Sequence, residues 1–241
     1  MPAAVVVAVA LCLLAIFTFP MSKPEQGATD QASQTTNGTA SEGEQPAADV
    51  DVVEQAPDLS FVEQRDPVDP LTAGDVKAPV GLVVFSDYQC PYCAAWSNDT
   101  LPKMMEYAEN GDVYIEWRDL NIFGDESERA SRAAYAAGLQ GKFWEYHREL
   151  FPDGKIRYAG ELSEEALVAL AQELGLDVEK FTADMTSGEV ESQVRTNQRL
   201  GIDLGVYSTP AFVVGGKAVM GAQPTQVFIA AVDEALAATE G

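Results

Sequence analysis

From about residue 58 onward, the pattern of apolar and polar residues predicts regular secondary structure. Residues 80–85 form a short apolar run, as expected for a buried central strand. Residues 113–118 alternate between apolar and polar side chains, which is typical of a second strand. Residues 211–214 and 217–220 flank two glycines and predict a β-hairpin. Strands are therefore expected on both sides of a long middle region.

Helical patterns fill the intervals between these strands. A helix is predicted from Cys90 toward Glu109, and Pro102 should kink or split it because proline removes a backbone donor. A helical block begins near Asp125, which together with Glu128 resembles a capping box. Gly138 and Gly141 are expected to break this block into two helices. Ser163 is expected to cap a further helix that ends at Gly175. Another helical segment is predicted over 181–201, and the last helix from about Pro224 to Ala237.

The order of these elements is strand, helix, strand, a block of helices, hairpin and final helix. This order corresponds to a βαβ unit and a ββα unit separated by a helical insertion, which we place at about residues 124–186. The sequence therefore predicts an α/β fold for residues 58–241, a length sufficient for a substantial core.

The N-terminal part of the chain has a different organisation. Residues 3–19 are almost unbroken apolar sequence, near the lower limit for a membrane-spanning helix, so residues 1–21 are predicted to be a membrane anchor or signal segment. Residues 22–57 are polar and acidic and predict a disordered linker. We expect a retained anchor with the domain on the extracytoplasmic side. Secretion after signal cleavage is the alternative. Lys23, just after the apolar stretch, favours the opposite orientation, with the domain in the cytoplasm, because positive residues flank membrane segments on the cytoplasmic side.

The charge of the chain excludes one class of partner. The formal net charge is −23. Binding to nucleic acid requires clustered lysine and arginine side chains, so no nucleic-acid partner is expected. The acidity favours solubility and identifies no partner by itself.

The sequence Cys90-Pro91-Tyr92-Cys93 carries the candidate chemistry. It lies between the predicted buried strand and the following helix, which places Cys90 near the helix N-cap and Pro91 at the first helical position. The positive end of the helix stabilises a thiolate on Cys90, and the thiolate is the attacking species in disulfide exchange. Cys93 is close enough to form a disulfide with Cys90 and to resolve a mixed disulfide. We therefore predict a redox-active pair.

Two structural roles for these cysteines are the alternatives. A C-x-x-C pair also begins many zinc sites, but a closed site needs about four ligands. The chain offers only Cys12, in the apolar N-terminal stretch, and a single histidine, His147. A complete zinc site within one chain is therefore not expected. The other alternative is a pair of buried cysteines with no reaction.

Three segments together resemble a known family. They are Phe85–Cys93 (FSDYQCPYC), Gly141–Trp144 (GKFW) and Gly205–Gly216 (GVYSTPAFVVGG). In these segments the chain resembles the DsbA-type thiol-disulfide oxidoreductases of Gram-positive cell envelopes, over about residues 65–238. The resemblance implies a thioredoxin-like fold with an inserted helical subdomain. It also implies an enzyme that introduces disulfide bonds into exported proteins.

The resemblance assigns further site residues and partners. It implies that Pro210 is cis and faces the cysteine pair, with the backbone at Thr209 presented to an extended client peptide. Main-chain pairing of this kind would explain how one enzyme serves many clients. Reduced exported proteins are the implied clients, and a membrane quinone-linked thiol oxidase of the DsbB or vitamin K epoxide reductase type is the implied recycling partner. No cofactor or metal is implied, and a monomer is expected.

The motif departs from the family pattern in two places. Tyr92 stands where the strongest oxidants carry a histidine, so a Cys90 pKa below that of a free thiol, but less depressed than beside a cation, is predicted. Val84 stands where such enzymes often have a buried carboxylate. Glu116 or Asp87 could substitute, although each is expected to be a solvated or structural side chain. These departures leave an extracytoplasmic reductase or isomerase as the alternative, with a non-catalytic thiol- or metal-binding module as a further one.

The remaining aromatic and histidine residues are not assigned to the site. Phe143, Trp144 and Tyr146 are expected in the core of the insertion, and Trp96 in the core beneath the motif. His147 has the polar neighbours Glu145 and Arg148 and is expected at the surface.

Overall fold

The computed structural model describes residues 57–239. The predicted anchor, residues 1–21, and the predicted linker up to residue 56 lie outside the described residues. Within the part that is described, no helix is long and apolar enough to cross a membrane.

Residues 57–239 contain five strands, which are β1 (Thr72–Ala73), β2 (Val80–Ser86), β3 (Val113–Asp119), β4 (Ala211–Val214) and β5 (Lys217–Met220). They form one mixed sheet in the order β1-β3-β2-β4-β5. The strand β2 lies at its centre, pairing parallel with β3 and antiparallel with β4, and the antiparallel pair of β4 and β5 is the predicted hairpin, so both predictions are confirmed. The short β1 pairs antiparallel with β3 and was not predicted.

The described residues also contain eight α-helices, which are α1 (Pro91–Asp99), α2 (Leu101–Glu109), α3 (Asp125–Gly138), α4 (Phe143–Leu150), α5 (Glu164–Glu173), α6 (Val178–Met185), α7 (Gly188–Asp203) and α8 (Thr225–Thr239). The break between α1 and α2 at Thr100 confirms the effect predicted for Pro102. The break between α3 and α4 lies at the two predicted glycines.

The helix caps agree with the sequence in one place and differ in another. Ser163 caps α5 as predicted, since its side chain accepts a hydrogen bond from the backbone N–H of Ala166. The capping box at the start of α3 is wrong. Gly124 occupies the cap position with a φ of 103°, and Asp125 is already the first helical residue. Its carboxylate therefore lies in the first turn, where the positive end of the helix favours it.

Both faces of the sheet are covered, and β3 confirms the strand predicted from the alternating pattern. All seven residues of β3 are buried, including Glu116 and Arg118. One face packs against α1, α2 and α8 and against the inserted helices, and it carries the larger core. The other face packs Val83 and Phe85 against Leu200 of α7. The last helix between β3 and β4, α7, therefore lies beyond residue 186, the predicted end of the insertion, and packs on this second face of the sheet.

Candidate active site

The cysteine motif begins α1 directly after the central strand. Cys90 is the N-cap residue with an extended backbone, and Pro91 is the first residue of the helix, as the sequence predicts. The backbone N–H groups of Cys93 and Ala94 donate to the Cys90 carbonyl oxygen. The turn before the motif is closed by a hydrogen bond from the Cys90 N–H to the Asp87 carbonyl oxygen, of 3.0 Å. The motif is therefore held at the carboxyl end of β2.

A cis peptide bond places the Thr209 carbonyl oxygen beside the motif. The Thr209–Pro210 bond is cis, which confirms the conformation implied by the resemblance. The Cys90 sulfur lies 3.3 Å from the Thr209 carbonyl oxygen, to which it donates when it is protonated. Residues 119 positions apart in the sequence thus meet at the reactive sulfur.

The two cysteines are free thiols with opposite acidities. The pKa of Cys90 is lowered to about 6, chiefly because the Cys93 thiol hydrogen-bonds to the Cys90 sulfur. Contacts with the Thr209 side chain and with backbone N–H groups of the motif lower it further, while burial opposes them. The direction predicted from the sequence is confirmed.

Cys93 is shifted the other way. Burial raises the pKa of its thiol far above the usual range, and the neighbouring Cys90 sulfur raises it further. Cys93 is almost completely buried, with 1% of its surface exposed. At neutral pH the Cys90 sulfur is therefore a thiolate and the Cys93 sulfur a thiol. This division of charge suits a nucleophile and a resolving thiol.

The residues that surround the opening are partly aromatic. Tyr92, between the cysteines, has 69% of its surface exposed, and Tyr207, two residues before Thr209, has 76% exposed. The side chain of Tyr92 therefore points away from the core, and Pro91 is exposed beside it. The structure brings together the thiols and the cis-proline turn, and it leaves Tyr92 free for contact with a partner.

The two carboxylates considered in the sequence are structural and are not solvated. Asp87 is fully buried, and its carboxylate accepts hydrogen bonds from the backbone N–H groups of Gln89 and Phe123 and from the Ser127 hydroxyl. Glu116 accepts from the backbone N–H of Gln64, at 3.1 Å, and of Arg65. Both side chains hold loops in place, which confirms the structural one of the two roles expected from the sequence.

His147 is buried, which corrects its predicted surface position. Its residue is 2% exposed, and its Nδ1 forms a hydrogen bond of 3.1 Å with the Tyr88 hydroxyl. The rings of Trp117, Phe143 and Phe151 surround it. Burial lowers its pKa to about 3, so the imidazole is neutral at physiological pH.

As expected, the rings of Phe143, Tyr146 and Trp96 are buried, and that of Trp144 is partly buried.

The buried carboxylate of Asp119 was missed by the sequence analysis. It ends β3 and is completely buried, and burial raises its pKa to about 7. The only sequence signal is an acidic residue at the end of a strand parallel to the one that carries the motif.

Among residues 57–239, no group of three or more histidine, cysteine or acidic side chains is arranged to hold a metal ion.

A fold in which a strand leads to a helix capped by a cysteine, opposite a cis-proline turn, defines the thioredoxin-like class. The family model of the DSBA-like thioredoxin domain matches residues 81–233, more than half of the chain. The chain therefore belongs to the DsbA-like thiol-disulfide oxidoreductases and is a protein disulfide oxidoreductase. Its fold is the thioredoxin-like DsbA fold with inserted helices.

Individual relatives agree with this assignment. The chain is 30% identical over 148 residues to the probable disulfide bond formation protein D of Bacillus anthracis. The match covers 59% of this chain and 68% of that protein. The crystal structure of a thioredoxin-like oxidoreductase from Silicibacter pomeroyi is 32% identical, with a TM-score of 0.62, and the match covers 73% of this chain and 96% of that one.

A third relative is a membrane transporter. The chain is 32% identical over 186 residues to the Na(+)/H(+) antiporter NhaA 1 of Salinispora arenicola. The match covers 74% of this chain and 27% of the antiporter. The similarity is thus confined to about a quarter of the antiporter. The transport activity of the antiporter is therefore not proposed for this chain.

Proposed function

We propose that this protein introduces disulfide bonds into exported proteins, with Cys90 as the nucleophilic cysteine and Cys93 as its partner. The observation that carries the proposal is the opposite acidity of the two thiols beside the Thr209–Pro210 turn. A stabilised Cys90 thiolate favours the reduced form of the pair, and a pair whose reduced form is stabilised is an oxidant of other thiols.

The reaction begins with the oxidised Cys90–Cys93 disulfide. A client thiolate attacks the Cys90 sulfur, the bond between the two cysteines breaks, and the Cys93 sulfur leaves and takes up a proton. A second client thiolate then attacks the client sulfur of the mixed disulfide. The client disulfide forms and Cys90 departs as a thiolate, so two electrons pass from the client to the enzyme. The low Cys90 pKa makes this sulfur a good leaving group.

Clients bind along the turn that contains Thr209 and Pro210. Its backbone lies within hydrogen-bonding distance of the Cys90 sulfur, so an extended peptide that pairs with this backbone presents its cysteine to Cys90. The exposed Pro91 and Tyr92 offer apolar contact on the other side of the sulfur. Because main-chain pairing carries little sequence preference, the site accepts unrelated clients.

The protein acts outside the cytoplasm, where disulfides persist. In this proposal residues 1–21 are a membrane anchor, residues 22–57 are an acidic linker, and residues 58–241 are the catalytic domain, with its insertion at about 124–186. The protein acts as a monomer. A membrane quinone-linked thiol oxidase of the DsbB or vitamin K epoxide reductase type reoxidises the pair. The DsbA-like family normally acts on exported clients and is reoxidised by a partner, which supports the extracytoplasmic location and the recycling step.

The reduction potential of the Cys90–Cys93 couple tests the direction of electron flow. We expect a value well above that of thioredoxin, roughly −270 mV, when the purified chain is equilibrated with glutathione buffers. A value at or below that of thioredoxin would contradict the proposal and identify a reductase. The ability to reshuffle a scrambled-disulfide substrate, measured alongside, would identify an isomerase.

The residue between the cysteines provides a second prediction. Tyr92→His is expected to lower the Cys90 pKa below 6 and to raise the reduction potential, because a protonated imidazole beside the sulfur stabilises the thiolate. The thiolate absorbance of Cys90, followed against pH, measures the shift. Tyr92→Phe is the control and should keep a pKa near 6. Equal titration curves for the two variants would show that position 92 has no electrostatic effect on Cys90.

A further inference from the structure

Gln89, the residue directly before the redox motif, is bound to a loop of the helical insertion. Its side-chain amide N–H groups donate to the carbonyl oxygen of Tyr88, over 3.2 Å, and to that of Arg157, over 3.1 Å. The backbone N–H of Gln89 donates to the Asp87 carboxylate over 2.7 Å, so the residue is also held by its main chain. One side chain therefore joins the start of the motif to the insertion loop, residues 155–158, which lies between α4 and α5.

The helical insertion holds the same loop from its own side. The Arg157 side chain donates to the Glu149 carbonyl oxygen, near the end of α4, over 2.7 Å. The Tyr158 N–H donates to the Glu161 carboxylate over 3.0 Å, and Ile156 packs against the larger core. The backbone of the insertion loop is thus fixed on both sides, while the Tyr158 side chain is free, with 82% of the residue exposed.

The exposed tyrosines of the chain are gathered at the motif. The sequence contains eight tyrosines, all of them within the described residues, and three are exposed: Tyr92, Tyr158 and Tyr207. Tyr92 lies inside the motif, and Tyr207 is two residues before Thr209, whose carbonyl oxygen is 3.3 Å from the reactive sulfur. Tyr158 follows the residue whose carbonyl oxygen Gln89 binds. Three separate segments of the chain therefore contribute an exposed tyrosine to one rim.

An exposed tyrosine on an ordered backbone is suited to contact with another protein. Its ring offers a large apolar surface, and binding restricts only two side-chain torsions. Aromatic residues are enriched at the centres of protein interfaces, whereas acidic side chains and lysine are depleted there. A folded protein buries most of its large apolar side chains and its cysteines, whereas an unfolded client exposes both. The partner that fits this rim is an unfolded segment with aromatic or large apolar residues beside its cysteine.

We propose that the insertion loop contacts the client and that Gln89 is the positioning residue that holds Tyr158 at the rim of the site. The proposal rests on the proposed disulfide exchange and adds a preference among clients to it. Backbone pairing at the Thr209–Pro210 turn accepts many sequences, whereas Tyr158 favours segments in which aromatic or large apolar residues flank the cysteine. Because the loop belongs to the helical insertion, the insertion contributes to the choice of client.

Two dithiol peptides that differ only beside their cysteines test this preference. One carries tyrosine on both sides of each cysteine and the other carries serine. The oxidised chain is mixed with each reduced peptide, and the second-order rate constant is divided by the peptide thiolate fraction. The wild type is expected to oxidise the tyrosine peptide about three- to tenfold faster, the gain expected from one aromatic contact. In Tyr158→Ala the ratio of the two rates should fall toward one.

Phe61→Ala is the matched control. Phe61 is a similarly exposed aromatic residue, but it lies near the turn at the end of β4 away from the motif, where the Leu59 N–H donates to the Gly216 carbonyl oxygen. This variant should keep the wild-type ratio. Equal wild-type rates for the two peptides, or a wild-type ratio in Tyr158→Ala, would overturn the inference. A wild type that reacts with dithiothreitol but oxidises neither peptide would instead overturn the proposed function.

Gln89→Met tests the positioning role. Methionine has a similar length but no N–H group, so the link to Arg157 is lost. The rate for the tyrosine peptide should fall about as far as in Tyr158→Ala, while the Cys90 pKa should stay at about 6, because Gln89 is not among the groups that set it. The double variant should lose no more than Tyr158→Ala alone, since both changes remove the same contact. Additive losses, or a changed Cys90 pKa in Gln89→Met, would contradict the positioning role.

A crosslinking measurement detects the contact without relying on rates. In the Cys93→Ser protein, joined to the tyrosine peptide through Cys90, p-benzoylphenylalanine introduced at position 158 should crosslink to the peptide on illumination. The same group introduced at position 61 should give no crosslink. A missing crosslink at position 158, or equal yields at the two positions, would show that the insertion loop does not contact the client.

Discussion

Cys93→Ser is expected to accumulate a stable mixed disulfide between Cys90 and a client, whereas Cys90→Ser should accumulate none. The serine variant keeps the Cys90 nucleophile and removes the sulfur that resolves the intermediate. It also keeps a hydroxyl that can donate to the Cys90 thiolate, and this donation is the largest single contribution to the low Cys90 pKa. Non-reducing gel electrophoresis after mixing with a dithiol peptide, followed by mass spectrometry, measures the trapped species.

Cys93→Ala separates trapping from acidity. Alanine offers no donor to the Cys90 sulfur, so the Cys90 pKa should rise from about 6 back toward that of an ordinary thiol. At pH 7 this change reduces the thiolate fraction about tenfold or more. Alkylation of Cys90 by iodoacetamide should be slower by the same factor in Cys93→Ala than in Cys93→Ser. Equal alkylation rates would show that the helix N-terminus alone sets the Cys90 acidity. A mixed disulfide in Cys90→Ser would contradict the assignment of the nucleophile.

The parts of the molecule that follow from local chemistry could be predicted from the sequence. Pro102 divides two helices because a proline cannot donate at its position, and Ser163 begins a helix because its side chain accepts from the first turn. Cys90 is the N-cap of α1 and Pro91 is its first residue, a position where a missing backbone N–H costs no hydrogen bond. Each of these features depends on residues within one turn. The position of the redox pair, at the end of a central strand and the start of a helix, is fixed by such features.

The surroundings of buried polar residues could not be predicted in this way, because distant segments determine them. His147 lies on a helix with polar neighbours in sequence, and only the packing of α4 against Tyr88 and Trp117 encloses it. Alternation is typical of a half-buried strand, but Glu116 is buried because the loop at Gln64 and Arg65 binds its carboxylate. Asp119 was overlooked for the same reason, since its hydrogen-bond partner Trp117 and the nearby Ser131 enclose it only after α3 packs on the sheet.

The buried Asp119 and His147 are expected to have opposing effects on the pH dependence of stability. The folded-state pKa of His147, about 3, is below its ordinary value of 6.5, so its contribution to stability is present above pH 6.5 and is lost as pH falls toward 3. The folded-state pKa of Asp119, about 7, is above its ordinary value of 3.8, so its contribution is present below pH 3.8 and is lost as pH rises through 7. Between pH 6.5 and pH 4.5 the two effects nearly cancel in the wild-type protein.

Removing either group should therefore expose the effect of the other. On going from pH 6.5 to pH 4.5, Asp119→Asn should lose roughly 2.7 kcal/mol of unfolding free energy relative to the wild type, at about 1.36 kcal/mol per pH unit for one proton. His147→Asn, in which the amide can still reach the Tyr88 hydroxyl, should gain a similar amount over the same interval. Urea unfolding at the two pH values measures both changes, and other carboxylates cancel in each comparison with the wild type. The double variant should again resemble the wild type in its pH dependence. Relative changes of the same sign in the two single variants would mean that one of these buried groups is charged at neutral pH.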